Sequence, residues 1–270
     1  ELLITDRDEL KGLPENAIDA AAFRAKNKGK EGYLFTLQIP VIIPVLTYAE
    51  NRELRKTINQ KFSSRAFRDD FDNQQLLKKI ATLRHQRAQL LGFKTHAEYV
   101  LKERMAENPD TVMSFLDRIF EVAYPAAKNE LNEIKQLAKE LDGLDEIYPW
   151  DSAYYTEKLK QKKYSFDEEK LRPYFKMEYV VSGIFKVAEK LYGLHFEEIN
   201  DVPVYHKDVM VYKVTEQNDK YVGLLYLDLF PRETKREGAW MTSFRTQGLF
   251  KGEVIRPHIS IVTNFTPSTD

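Results

Sequence analysis

Gly223-Leu224-Leu225-Tyr226-Leu227-Asp228-Leu229-Phe230-Pro231-Arg232-Glu233-Thr234-Lys235-Arg236-Glu237-Gly238-Ala239-Trp240-Met241 is the stretch on which the reading of the fold turns. It begins as a continuous apolar run, passes through a charged loop and reopens as a second run at Gly-Ala-Trp-Met. Such a junction gathers polar groups where a sheet ends, and functional sites are commonly built there. Asp228, Arg232 and Lys235 stand at this junction. The simplest reading makes them an ion-pair network that organises the loop, and it is preferred to direct contact with a substrate.

Immediately upstream the apolar period is two. Val209, Val211 and Lys213 alternate with Met210, Tyr212 and Val214; Gln217-Asn218-Asp219 supplies turn chemistry, and Tyr221–Phe230 returns, which predicts a hairpin. Ala239–Phe244 and Val254–Phe265 are two further strand candidates. Residues 194–270 therefore read as a small, mostly antiparallel sheet.

Residues 49–193 carry the helical period instead. Leu76, Ile80, Leu83 and Leu90, then Val112, Phe115, Leu116, Ile119 and Val122, and then Val180, Ile184, Val187 and Leu191 form apolar stripes expected to be core. Thr95-x-x-Glu98 and Ser165-x-x-Glu168 are capping boxes, Asn108-Pro109 is a cap with proline at the first helical position, and Asp151 is expected to cap a helix through Lys162. Gly92, Gly143 and Gly193 stand where helices should stop. Pro125 is expected to break or kink its helix, and Pro40 and Pro44 to keep Val41-Ile42-Ile43 out of helix interior. With residues 1–48 read as a mixed, β-rich entry segment, the expected class is mainly α within α+β: an antiparallel helical bundle followed by a small sheet.

Lys plus Arg number 41 against 42 Asp plus Glu, so charge gives no reason to attract nucleic acid or an anionic membrane, and neither partner is expected. No run of about 20 apolar residues is present. The absence of cysteine removes disulfides, thiolate catalysis and cysteine-ligated zinc, and agrees with a reducing compartment, by default the cytoplasm. A start at Glu1 and a stop at Asp270 read as cut ends, so the chain is expected to be a fragment.

Motif chemistry is sparse. There is no G-x-S-x-G elbow, P-loop or G-x-G-x-x-G after a strand. The histidines are His85, His96, His195, His206 and His258, and no two are spaced as a zinc-binding helix requires, so neither a catalytic residue nor a metal ligand is expected in this chain. His195-x-Glu197 and His206-x-Asp208 are read as surface pairs. Asp167, Glu168 and Glu169 are read as helix-dipole partners, and Lys158, Lys160, Lys162 and Lys163 among Tyr154, Tyr155 and Tyr164 as a solvated helix face.

Tyr226-x-Asp228-x-x-x-Arg232-x-x-Lys235 followed by Gly238-Ala239-Trp240 resembles the strand and loop that precede the metal site in the thimet oligopeptidase and peptidyl-dipeptidase Dcp family. Gly32-Tyr33-x-Phe35-Thr36-Leu37, Pro44-x-x-x-Tyr48-Ala49-x-Asn51-Arg52-x-x-Arg55, Leu90-Leu91-Gly92-Phe93 with Ala97-Glu98-Tyr99, and Asp151-x-x-Tyr154-Tyr155 resemble further landmarks in the family's order, so the likeness covers essentially the whole chain. Val41 after Pro40 departs from the small polar residue common there. Gly238-Ala239-Trp240-Met241 is similar to the bacterial peptidyl-dipeptidase branch.

The resemblance implies a zincin-like, neurolysin-like zinc metallopeptidase that cleaves short peptides in a deep channel, preferably releasing C-terminal dipeptides. The alternatives are an oligoendopeptidase of the same family and a non-catalytic helical adaptor. It implies His-Glu-x-x-His with a further Glu as the source of zinc ligands and general base. That motif is absent here, so zinc is expected only in the intact enzyme, the isolated chain is expected to be inactive, and the remaining C-terminal catalytic portion of the polypeptide is its expected partner. Gly238, Ala239, Trp240 and Met241 are the candidate substrate-binding edge strand, small residues letting two backbones approach.

Overall fold

The structure is a computed structural model that describes residues 1–267. In chain order, β1 (Leu2–Ile4), α1 (Glu15–Asn27) and β2 (Tyr33–Phe35) precede α2 (Ile39–Tyr48), α3 (Arg52–Ser63), α4 (Gln74–Leu90), α5 (His96–Leu101), α6 (Pro109–Asp142), α7 (Pro149–Tyr164) and α8 (Met177–Tyr192). Then come β3 (Leu194–Ile199), β4 (Met210–Glu216), β5 (Tyr221–Asp228), β6 (Trp240–Arg245), β7 (Gly248–Phe250), β8 (Glu253–Ile255) and β9 (His258–Val262). The class is α+β, with about half the residues helical. The chain forms two compact units, one of residues 1–44 with 165 onward and the other of residues 45–164. Helix α8 thus belongs to the unit of the sheet.

Side-chain caps set three of the eight described helix starts. Asn51 Oδ1 accepts from Leu54 N, Thr95 Oγ1 from Glu98 N and Asn108 Oδ1 from Thr111 N, each satisfying a first-turn amide that has no partner in its own helix. Glu98 returns the bond one residue further back than expected, accepting from Lys94 N at 2.9 Å. Among the described residues Ser165 is not the cap, and the Glu168 side chain lies outside them. Asp167 accepts from Glu169 N instead and starts a 3-10 turn over Glu168–Tyr174.

Proline is tolerated more widely than the sequence reading expects. Val41-Ile42-Ile43 lie within α2, because Pro40 falls in the first turn, where its missing N–H has no partner to lose, and Pro44 forgoes a single bond. Helix α6 runs unbroken for 34 residues through Pro125, about 51 Å at 1.5 Å per residue.

The second unit is tied together by a buried charge. Arg52 grips Asp151 with two bonds of 2.9 and 2.7 Å, and Arg55 adds a third of 3.1 Å. Arg55 is itself buried, and its other donors meet the carbonyls of Ala49, Glu50 and Trp150, while Arg52 shares the same carboxylate from a partly exposed position. Burial alone would raise the Asp151 pKa; the bonds from Arg52, Tyr148 N and Arg55 hold it below the usual carboxylate range. Asp151 therefore joins α7 to α3 as well as accepting from the amide that opens its own helix. Around it, Ala138, Tyr154 and Tyr155 pack with Ile134, Leu144 and Ile147.

The apolar stripes expected as core are largely open. Leu76, Ile80, Leu83 and Leu90 of α4, Phe115, Leu116 and Ile119 of α6, and Ile184, Val187 and Leu191 of α8 are all exposed, Leu90 at 88%. In α8 a second face is occupied: Met177, Val181 and Phe185 cover one side of the sheet against Phe196, Tyr212, Leu227 and Leu229, with Phe185 stacked on Phe196 at 4.2 Å.

The main sheet has the order β3-β4-β5-β9-β6. The β4–β5 hairpin forms as expected, in register Met210↔Leu227 through Val214↔Gly223. The strand expected over Val254–Phe265 is divided at Arg256-Pro257 into β8 and β9, since proline cannot donate to a ladder. Strand β9 runs parallel to β5, the one parallel pair in an otherwise antiparallel sheet among the described residues. Gly223 permits this pairing: a Cβ there would lie 2.5 Å from the Pro257 carbonyl that accepts from Leu224 N.

Asp151→Ala should lower the stability of the second unit by about 3–5 kcal/mol, because it strands the buried Arg55 guanidinium. Glu133→Ala, which removes an exposed partner of Lys163, should leave the urea midpoint where it was.

Candidate functional site

The parallel β5–β9 pair brings the ends of two strands to one edge of the sheet, where β6 begins: Asp228 faces Val262, and Val262 faces Trp240. Three backbone segments meet there, the turn leaving β5, the loop entering β6 and the exit of β9. Asp228 sits at their junction with only 2% of its surface exposed.

Its carboxylate is saturated. Oδ1 accepts from Arg232 Nη1 and Lys235 Nζ, both at 2.8 Å, and Oδ2 from Arg232 Nη2 and the Tyr205 hydroxyl, both at 2.9 Å. Lys235 is as buried as Asp228 and spends its remaining donors on the carbonyls of Asp228 and Phe230, 2.9 and 2.7 Å away. Burial by itself would push the acid upward, but the donors from Arg232, Lys235 and Tyr205 outweigh it and hold the pKa down to about 2. Such a group stays ionised near neutrality, with its acceptor positions already filled from within the chain.

The loop is held from its other side as well. Asn264 Nδ2 donates to the carbonyls of Arg236 and Gly238 at 3.1 and 2.7 Å, while Thr263 N and Phe265 N donate to the carbonyls of Asp228 and Leu229 at 2.8 Å. Tyr205, Asn264 and Thr263 thus join the residues singled out from sequence. Tyr205 lies 23 positions from Asp228 with no motif linking them. Asn264 carried a signal only as a polar residue closing an apolar run.

Strand β6, which this loop delivers, is the outermost strand, and its far edge pairs with no described strand. All six of its residues are exposed, Met241 at 65%. Gly238 and Ala239 precede the strand rather than lie in it. Gly238 has φ +102° with open space around a notional Cβ, so its small size serves a left-handed turn into β6 rather than the close approach of a neighbour within this chain. On one face of the sheet, Phe244 meets the rings of Tyr205 and Tyr226 edge-on at 6.0 and 5.4 Å. Nearby, His258 takes a 2.9 Å contact from Arg245 at Nε2; burial, with the Arg245 charge added, lowers its pKa.

The other sequence candidates are not assembled into a site. His195 lies 3.5 Å from Glu189 rather than beside Glu197, which faces Lys213, and His206 pairs with Asp208 in an exposed turn. Lys162 and Lys163 are paired with Glu140 and Glu133. Among the described residues no three His, Cys, Asp or Glu side chains come together as a metal would need, so zinc has no fitting place in them.

Residues 45–270 match the sequence profile described as Peptidase family M3. The chain belongs to that family. It is 44% identical over 244 residues to Oligopeptidase A of Escherichia coli (strain K12), an alignment covering 88% of this chain and 36% of that protein. It is 33% identical over 249 residues to Dipeptidyl carboxypeptidase of the same organism, covering 91% and 37%, and 33% identical over 282 residues to Organellar oligopeptidase A, chloroplastic/mitochondrial, of Arabidopsis thaliana, covering 99% and 36%. The chain therefore spans just over a third of the length of these relatives. The family's profile includes the whole Asp228 junction and β6.

Asp228→Asn should cost about 3–5 kcal/mol at pH 7 by leaving Lys235 buried without its anion. The acid's pKa falls from 3.8 unfolded to about 2 folded, so ionic stabilisation on the order of 2 kcal/mol is present above the unfolded value and is lost as pH falls through the folded one. The gap between the urea midpoints of the native chain and Asp228→Asn should accordingly narrow, without closing, between about pH 5 and pH 2.

Proposed function

We propose that the intact protein is a zinc-dependent metallopeptidase of the oligopeptidase type acting on short peptides, and that this chain supplies the β6 edge on which the substrate backbone lies. The observation that carries the reading is β6, exposed along its length and unpaired on its outer side among the described residues, at the rim of the sheet of a family M3 chain. An edge strand presents unpaired N–H and C=O groups that extend the sheet onto an added peptide and hold it without reading its side chains. Asp228, Arg232 and Lys235 act on this edge indirectly: they organise the Leu229–Ala239 loop and so fix where β6 starts.

In this reading the metal chemistry lies with further polypeptide, since no metal-ligand cluster stands among the described residues. The remaining catalytic portion of the polypeptide is the proposed partner, and the open stripes on α4, α6 and α8 support it, since apolar faces of that extent are normally covered. The proposed setting is the cytoplasm; no helix among the described residues is long and apolar enough to cross a membrane.

A second reading is release of C-terminal dipeptides. Gly238-Ala239-Trp240-Met241 and the 33% identity to Dipeptidyl carboxypeptidase support it, while the 44% identity to Oligopeptidase A favours the oligopeptidase type.

Ala239→Pro in the full-length enzyme tests the edge. Proline at the entry to β6 removes an amide and restricts the backbone there, so kcat/KM on a blocked tetrapeptide should drop about tenfold, the equivalent of roughly one hydrogen bond. An unchanged kcat/KM in a normally folded variant would remove the edge-strand role.

A further inference from the structure

A second feature of the first unit is unconnected with β6. Between α1 and the β2–α2 segment lies a cavity of about 190 Å³, walled by Phe23, Phe35, Val41 and Pro231 and bordered by the amides of Asn27 and Gln38. Arg24 opens onto it from α1. Its Nε donates to the Leu34 carbonyl at 3.0 Å, and no described carboxylate pairs with the guanidinium. The other arginine at the cavity, Arg172, is gripped by Glu169 through bonds of 2.8 and 2.6 Å. One positive charge is therefore left uncompensated in a mostly apolar recess.

This arrangement is costly for the bare protein. Taking a guanidinium partly out of water is normally offset by an acid, and here burial, with nothing opposing it, pulls the Arg24 pKa down to about 10. A guanidinium presents its donors in a planar fork that matches a carboxylate. One carboxylate cancels one charge, whereas a phosphate dianion would bring a second charge with no partner. At about 30 Å³ per water the recess has room for about six waters, or for a flat acid of similar bulk.

We propose that the Arg24 cavity is a carboxylate-binding site, taking a monocarboxylate with its charged end on the Arg24 guanidinium and its apolar body against Phe23, Phe35 and Val41. Two sources supply the same chemistry, a small free acid or an Asp or Glu side chain from polypeptide beyond these residues. The proposal does not depend on the peptidase reading.

The test is thermal unfolding of the 270-residue chain with sodium benzoate, using benzamide as a neutral control of the same shape. Benzoate well above its Kd should raise the midpoint by several degrees and benzamide should not. Arg24→Gln should abolish the benzoate response without lowering its own midpoint, and Arg24→Lys should keep a weaker one. Equal responses to benzoate and benzamide, no response to benzoate, or a response that survives in Arg24→Gln overturns the proposal. Repeating the titration on the longer polypeptide separates the sources: a retained response assigns a free acid, and a lost one, with Arg24→Gln now destabilising, assigns an internal carboxylate.

Discussion

One buried carboxylate constrains the sheet end. Asp228 can be ionised with almost no contact with water only because Arg232, Lys235 and Tyr205 fill all its acceptor positions. The same donors dictate the path of the chain: Arg232 must stand four residues on, Lys235 seven, and the Tyr205 connection must cross that end of the sheet. With Asn264 closing the loop from β9, little freedom is left in where β6 begins. An edge strand that receives a peptide needs its backbone groups held in one place, because disorder there would have to be removed on binding.

The parallel placement of β9 matters for the same reason. Were β9 antiparallel to β5, its exit would lie at the opposite end of the strands, away from Gly238 and the start of β6. Gly223 makes that placement possible by letting the Pro257 carbonyl approach its strand. A glycine within one strand and an aspartate at its end thus govern the geometry of a third strand.

What could be read from the sequence was local or periodic. The β4–β5 hairpin followed from alternation and Gln217-Asn218-Asp219, and the caps at Thr95 and Asn108 from side chains that reach only three residues. The association of Asp228 with Arg232 and Lys235 was legible because all three lie within one loop. Contacts across long separations were not: Arg52 and Arg55 were marked, and Asp151 was marked, but nothing in residue type joined them across some 96–99 positions. Helix α2 escaped because proline was judged by identity and not by its place in the first turn. The apolar stripes on α4, α6 and α8 were read as buried because a periodic pattern reports which face seeks cover, not whether the described residues contain the element that provides it.

The anchored β6 edge and the apolar faces of α4, α6 and α8 are exposed, and their proposed occupants are a peptide for the first and further polypeptide for the second. The most direct measurement is amide hydrogen exchange across the sheet of the full-length enzyme, with and without a short non-cleavable peptide. Added protection on Trp240–Arg245, with none on Leu194–Ile199 at the opposite edge, is the result expected if β6 receives the substrate backbone. Protection that leaves Trp240–Arg245 unchanged while the peptide is bound would contradict it.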